Sequence, residues 1–411
     1  MFVPVSDLPQ FEFDRPRRSQ AGMNEDQRPE TVQYAQPKRI ECLDSIRGLA
    51  ALAVLLRHIQ GAFAWPTGMT DWINIPIVNI LFDGRSAVTM FFVLSGFVLA
   101  HPYLAPTGPG QVPRKLFIPT FYLRRVIRIW VPWLFAFVLS VLASRYLFGK
   151  HSTIPPVSEW LDGFWHAPLT VMSVLRQCAF TLHDASQQLL PQDWSLGVEL
   201  KGSALVPLFL FFVRRFMPGL VITAGLLLVF VPTGDYYVSF ALGVLAAKYH
   251  WEAEPWLRSL SLASKCGMLA LGVLLYQSRL AADRFWGITE ATDRIVWCVG
   301  SVGCVLILGA TLASRRIQAK LGLSVFVFLG RISFSVYLLQ FIVILCMLPP
   351  LVQILNGAGL DSAAALLPML MLVGVAGTVA LASAMYYTIE KSSIEWGRTL
   401  TRYVQRRFFG R

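Results

Sequence analysis

Apolar residues along this chain fall in long blocks, near 43–63, 86–102, 127–148, 195–213, 219–233, 236–250, 261–277, 294–313, 324–346 and 364–388. A helix that crosses the hydrocarbon core of a bilayer needs about 20 such residues. Backbone in lipid must satisfy its own hydrogen bonds within one segment, so each block predicts a helix. The expected fold is therefore all-α: a polytopic integral membrane bundle of about ten transmembrane helices. Composition agrees, since 55% of the 411 residues are hydrophobic and 15% are charged, against about a quarter charged in soluble domains.

The net charge of +12 raises nucleic acid as a partner, but the placement of the cations excludes it. Arg15, Arg17, Arg18, Lys38 and Arg39 precede the first block; Arg114, Lys115, Arg124 and Arg125 lie between the second and third. Arg214 and Arg215 follow the fourth, Arg258 and Lys265 the sixth, Arg315, Arg316 and Lys320 the eighth, and Arg398, Arg402, Arg406 and Arg407 the tenth. The alternate connections are poorer in cations and hold Asp71, Asp83, Asp162, Asp184, Asp193, Asp235 and Asp361. Cations gather on the cytosolic side of membrane proteins, so both termini are expected there.

Residues 1–39 are polar, contain proline and lack the apolar core of a signal peptide; they read as a disordered cytosolic tail. The membrane domain is expected over 40–390, with 391–411 a basic cytosolic tail and no soluble catalytic domain after it. The outer connection over 149–193 is long, and its Trp160, Trp165, His151, His166 and His183 fit an ordered cap or an interfacial aromatic belt. Cys42, Cys178, Cys266, Cys298, Cys304 and Cys346 show no CxxC pairing and no histidine-rich companion, so neither a disulfide framework nor a metal site is expected.

The first block, LDSIRGLAALAVLLRHIQGAF, carries Arg47, Arg57 and His58. Ionisable groups inside a span are costly and mark functional sites by default. Arg47 and His58 are eleven residues apart, about three turns plus 20°, so they share one helix face roughly 16 Å apart. Ala51 and Val54 lie between them on that face, flanked by Gly48 and Ala50; small residues there leave room for a slender ligand or for a tightly packed neighbour. Asp44, three residues before Arg47, is placed to orient it. Arg47 also fits a cation snorkelling to the interface, and Arg57, on another face near the outer end, fits that role better. A neutral imidazole in a wet cavity suits proton transfer, so His58 is a candidate general base.

The stretch LDSIRGLAALAVLLRH, with Arg47-x10-His58, resembles the opening helix of the acyltransferase 3 family of integral membrane acyltransferases. FFVLSGFVLAHPY (91–103), FYLRRVIRIWVPW (121–133), DWSLGVEL (193–200), ISFSVYLLQ (332–340) and YYTIEKS (386–392) resemble the same family in the same order, across about residues 40–395. The resemblance implies transfer of an acyl group, commonly acetyl, from cytosolic acyl-CoA to a hydroxyl of a carbohydrate or other acceptor, in a multi-pass protein of the bacterial inner membrane. It carries the Arg–His pair to Arg47 and His58, the paired arginines after the second span to Arg125 and Arg128 with Arg124 adjacent, and the Ser-Gly of the second span to Ser95 and Gly96. It carries the WS-x-x-x-E motif to Trp194, Ser195 and Glu199. The chain departs from the family at Gln340, where many members have histidine, at Ser392, usually proline, and at Thr89, often aspartate; these bear on the subfamily and acceptor. Members fused to an extracytoplasmic esterase-like domain are no template for it.

In that setting Arg125 and Arg128 are the expected clamp for the phosphates of CoA, although the positive-inside rule alone also explains them. Glu199 is expected at the outer end of the fourth span, to polarise His58 or bind an acceptor hydroxyl, or as an interfacial carboxylate. Ser95 is a lesser candidate acyl carrier, with Ser95-Gly96 otherwise a packing or kink point. No Ser-His-acid order is visible, which favours direct transfer. The stripe from Arg47 to His58 is expected to line a tunnel, Arg47 at its cytosolic mouth and His58 where thioester meets acceptor. The competing class is a transporter or flippase of a lipid-linked or anionic solute, for which repeated halves would be the sign; none is visible.

Overall fold

The computed structural model describes residues 33–34, 40–106, 111–112, 118–148, 157–165, 170–178, 189–360 and 362–409. The expected tail over 1–39 falls almost wholly outside them, as do His151, His166 and His183. Each apolar block is a helix: α1 (Glu41–Gly61), α2 (Gly84–Leu104), α3 (Ile118–Tyr146), α4 (Asp193–Arg215), α5 (Met217–Phe230), α6 (Gly234–Ser259), α7 (Leu262–Tyr276), α8 (Glu290–Ala313), α9 (Ser324–Cys346) and α10 (Ala363–Met385). Among the described residues, α2, α3, α4, α8, α9 and the helical stretch opened by α10 are long and apolar enough to cross a membrane. α5 and α7 are apolar but only 14 and 15 residues long. α1 and α6 have the length, 21 and 26 residues, but their apolar runs are diluted by ionisable side chains. The chain is an all-α integral membrane protein; extended pairing among the described residues is confined to Gln33–Tyr34 beside Gln111–Val112 and to a Phe63–Val157 bridge.

Helices in lipid gain little from burying apolar surface against one another, because acyl chains are as apolar as leucine; close backbone approach takes over. Two helix pairs show it. Where α2 crosses α6, Gly96 sits on the Phe240 carbonyl and Gly243 on the Val93 carbonyl, leaving no room for a methyl at either position. Where α1 crosses α9, Gly48 lies on the Leu329–Gly330 backbone and Gly330 on the Asp44 carbonyl. Ser45 adds a hydroxyl hydrogen bond to the Leu321 carbonyl at 2.7 Å. These contacts lock the roll of α1 and α9 against each other, which decides what the polar residues of both helices meet.

Two segments outside the spans take a definite form. Residues 391–409, expected as a basic tail, form helix α11 (Lys391–Phe409), entered through a π-helical turn at Tyr386–Glu390. It packs along α3, with Arg124 Nε donating to Thr401 Oγ1 at 2.9 Å. Its arginines at 398, 402 and 406 recur every fourth position, so a helix gathers them on one face and leaves another free to dock. The connection between α3 and α4 folds back over the end of α1. Ser158 Oγ donates to the Gly61 carbonyl at 2.7 Å, and Trp165 holds a left-handed backbone (φ 66°) while its indole N–H reaches the Leu189 carbonyl. Of the two readings left open for this connection, its described parts form an ordered cap.

Candidate active site

His58 occupies the last turn of α1, under that cap. Its ring lies 5.6 Å from that of Trp160 and 4.9 Å from that of Phe341 of α9, centroid to centroid. Its Nδ1 is 3.0 Å from Gln340 Oε1. The other end of the Gln340 amide donates from Nε2 to the Tyr337 carbonyl at 3.0 Å. A carbonyl can only accept, so the amide nitrogen is committed to Tyr337 and Oε1 is committed to the imidazole. An acceptor at Nδ1 requires the proton there, which leaves the Nε2 lone pair of neutral His58 free. Gln340 is fully buried and cannot exchange this role with solvent.

His58 lines a chamber of about 1150 Å³ bounded by the outer ends of α1, α2, α4, α6, α8 and α9 and by Trp160 and Phe164 of the cap. Arg57 lines it as well, contrary to the expectation that it lies on another face. The reason is geometric: one residue is only 100° of helix, and a cavity this wide takes in Val54, Arg57, His58 and Gly61 together. α4 contributes Trp194, Gly197, Val198 and Lys201, spaced as one stripe.

The next stripe of α4, Ser195, Leu196 and Glu199, faces a second and much smaller space of about 70 Å³. Here Arg47, Arg125 and Arg128 converge with Ser95 and Glu199. Arg47 Nη1 pairs with Asp44 at 3.2 Å, the orientation expected from their spacing. Glu199 accepts from Arg125 Nη2 and from Ser95 Oγ, the latter at 3.2 Å. Arg125 also donates Nε to Ser203 Oγ at 2.8 Å. Glu199 thus stands with the arginines and not beside His58, because α4 turns it about 140° from Trp194 and about 160° from Lys201, away from the stripe that meets the outer chamber. Arg125 is bound to this carboxylate, whereas Arg128 has no carboxylate partner among the described residues. Arg124 leaves the group altogether, held to Thr401 of α11. Buried Glu390 lies on the π-helical turn and accepts from Ser335 Oγ at 2.6 Å.

The two spaces share Val88 and Tyr337 as common lining. Tyr337 is 7% exposed, its hydroxyl 2.6 Å from Ser195 Oγ and its ring packed edge-on against Phe91. The expected stripe along α1 is not what joins them: Ala51 is buried and borders neither space. The partition between the arginines and His58 is instead a tyrosine of α9 and a valine of α2.

Gln340 as a partner of His58, Tyr337 as a partition, and Arg57 and Lys201 as lining were not among the expected site features. The Trp194/Lys201 stripe was open to helical spacing; the Gln340 contact, across 282 positions, was not.

Comparison with known proteins bears on the chemistry of this arrangement. A family model described as an acyltransferase domain matches residues 40–387. The chain belongs to the acyltransferase 3 family. Over 181 residues, 42% of this chain and 84% of the relative, it is 30% identical to "Protein 2 in picA locus" of Rhizobium radiobacter. Over 157 residues it is 25% identical to the O-acetyltransferase PaAT-1 of Phomopsis amygdali, a match spanning 34% of this chain and 31% of the fungal protein. No solved structure matches. The residues that match the family include every helix that lines the two spaces.

Proposed function

We propose that the protein is a membrane O-acyltransferase that moves an acyl group, acetyl by preference, from cytosolic acyl-CoA to a hydroxyl of an acceptor held in the outer chamber. The observation that carries this reading is the single free nitrogen of His58, fixed by Gln340, on a side chain that lines a chamber adjoining a pocket of arginines at Tyr337. In the transfer, His58 Nε2 takes the acceptor O–H proton as the oxygen attacks the thioester carbonyl. Collapse of the tetrahedral intermediate breaks the C–S bond, and the imidazolium returns its proton to the leaving thiolate. The products are the acyl ester and free CoA.

Arg128 and Arg47 are the proposed contacts for the polyanionic end of the donor, guanidinium forks being suited to phosphates. Arg125 serves as scaffold, since Glu199 and Ser203 already engage it. A space of about 70 Å³ does not hold a pantetheine arm, so the donor enters only as side chains at the Tyr337–Val88 partition move aside. Ser95 donates to Glu199, a carboxylate whose basicity toward a hydroxyl is weakened by its pairing with Arg125, which supports direct transfer over an acyl-serine. The cation-rich sides of the loops support a cytosolic origin for the donor.

The test is purified protein in nanodiscs with radiolabelled acetyl-CoA and a panel of hydroxylated acceptors. Wild type forms acylated product, and His58→Ala loses about 10²–10⁴-fold of the rate, the usual contribution of a positioned base. A folded His58→Ala variant with full transfer activity sinks the assignment. Movement of solute into liposomes without consumption of acetyl-CoA points to the transporter class instead.

A further inference from the structure

The outer chamber carries more positive charge than catalysis by His58 requires. Its charged lining is Arg57, Arg85, Lys201 and Asp193. Two of these are answered by neighbours. Arg85 pairs with Asp293, which also takes Arg279, and its guanidinium stands 5.3 Å over the Trp297 ring. Asp193 is 1% exposed and accepts from Gln177 Nε2 at 3.0 Å. The other two have no carboxylate within ion-pair reach among the described residues. Among the described residues Arg57 is hydrogen-bonded only to the neutral Gln60 side chain, and the Asp83 carboxylate on the next helix is engaged by the Ser86 N–H at 2.9 Å. Lys201 lies two turns into α4, on the stripe that lines the chamber. A cation inside a span normally finds an anion or a wet cavity; here it finds the cavity.

The walls between these cations are flat rings. Trp160, Phe164, Trp194, Tyr236 and Trp297 all line the chamber. Such rings present apolar faces with polar edges, a surface that matches the C–H face of a pyranose. Guanidinium and ammonium groups at its rim match a carboxylate or phosphate on the same ring. The volume, about 1150 Å³, lies above the usual 300–1000 Å³ of small-ligand pockets and admits more than one sugar unit.

Resting on the acyltransferase reading above, we infer that the acceptor is an anionic glycan, one whose sugar rings stack on the chamber's aromatic walls while Arg57 and Lys201 bind its carboxylate or phosphate. The anion then anchors the ring, and a neighbouring hydroxyl is left beside His58. Arg57, next in sequence to the base, sets the distance between the bound anion and the acylated oxygen.

The experiment separates this inference from the reading it rests on by measuring binding without a donor. Protein in nanodiscs is titrated, by tryptophan fluorescence, with a glucuronate-containing oligosaccharide, the neutral glucose oligomer of equal length, and glucose 6-phosphate. Wild type binds the uronate oligomer at least tenfold more tightly than the neutral one, and the difference shrinks at high salt. Arg57→Gln and Lys201→Gln each remove most of that difference, while Lys201→Arg retains it. Tighter binding of glucose 6-phosphate than of the glucuronate-containing oligosaccharide identifies phosphate as the source of the anion. Equal affinity for acidic and neutral oligomers, or discrimination unchanged in both glutamine variants, overturns the inference. Acyl transfer to neutral acceptors with the same KM as to acidic ones overturns it while leaving the acyltransferase standing. Tight anion-selective binding in a protein that never consumes acetyl-CoA leaves the site standing and removes the enzyme.

Discussion

Replacing Gln340 by leucine isolates the tautomer argument from everything else in the site. Leucine keeps a similar volume at a fully buried position but removes the acceptor that faces His58 Nδ1 and the donor to the Tyr337 carbonyl. Nδ1–H then stays unpaired in a part-buried position, which costs about 1–3 kcal/mol. The ring recovers that energy by moving its proton to Nε2 or by rotating, and either change takes the lone pair away from the acceptor. At 1.36 kcal/mol per decade, the expected loss in kcat is about five- to 150-fold, smaller than the loss for His58→Ala. KM for acetyl-CoA stays at its wild-type value, because the arginines of the inner pocket are untouched. Steady-state kinetics in nanodiscs, with thermal unfolding to verify the fold, measure both quantities. A folded Gln340→Leu variant with kcat within twofold of wild type refutes the reasoning. Equal losses in Gln340→Leu and His58→Ala refute it too, since they make Gln340 part of the base and not its positioner.

Three further outcomes follow from the same geometry. Tyr337→Ala removes the partition between the two spaces and lets water meet the thioester, so acetyl-CoA hydrolysis without acceptor rises severalfold; a CoA-release assay with no such rise shows that the partition lies elsewhere. Arg128→Gln raises KM for acetyl-CoA about tenfold, the worth of one charge-assisted contact of about 1.5 kcal/mol, whereas Arg124→Gln leaves it unchanged because Thr401 holds that side chain; equal effects at both positions leave the arginines as topology signals. Gly96→Val forces α2 off the Phe240 carbonyl and lowers the thermal midpoint and detergent-extracted yield sharply, while Gly225→Val, on open surface, changes neither.

Much of this protein is legible in one dimension. Each of the helices α1 to α10 corresponds to an apolar block, because lipid leaves a backbone segment no other way to satisfy its hydrogen bonds. The Arg47–His58 spacing and the Asp44–Arg47 pair are equally local, since both partners ride on one helix whose period is known. Helical spacing also divides α4 into a Trp194–Lys201 stripe and a Ser195–Glu199 stripe. It does not say which stripe meets His58, and there the sequence-based expectation for Glu199 failed. The same gap explains α11: arginines every fourth residue define a helix face, yet only α3 makes that helix dock.

What tertiary structure alone decided is everything that depends on how the helices are rolled against one another. The glycine contacts of α1 with α9 bring Gln340 to His58 across 282 positions, and no periodicity within either helix encodes that meeting. The same roll sets Tyr337 between the arginines and the histidine, in place of an open tunnel along α1. The sequence by itself determined which segments enter the membrane and which polar groups they carry there, because those are properties of each segment against lipid. The proton's place on His58, the partition and the unpaired cations are properties of pairs of segments, decided where small residues let two backbones touch.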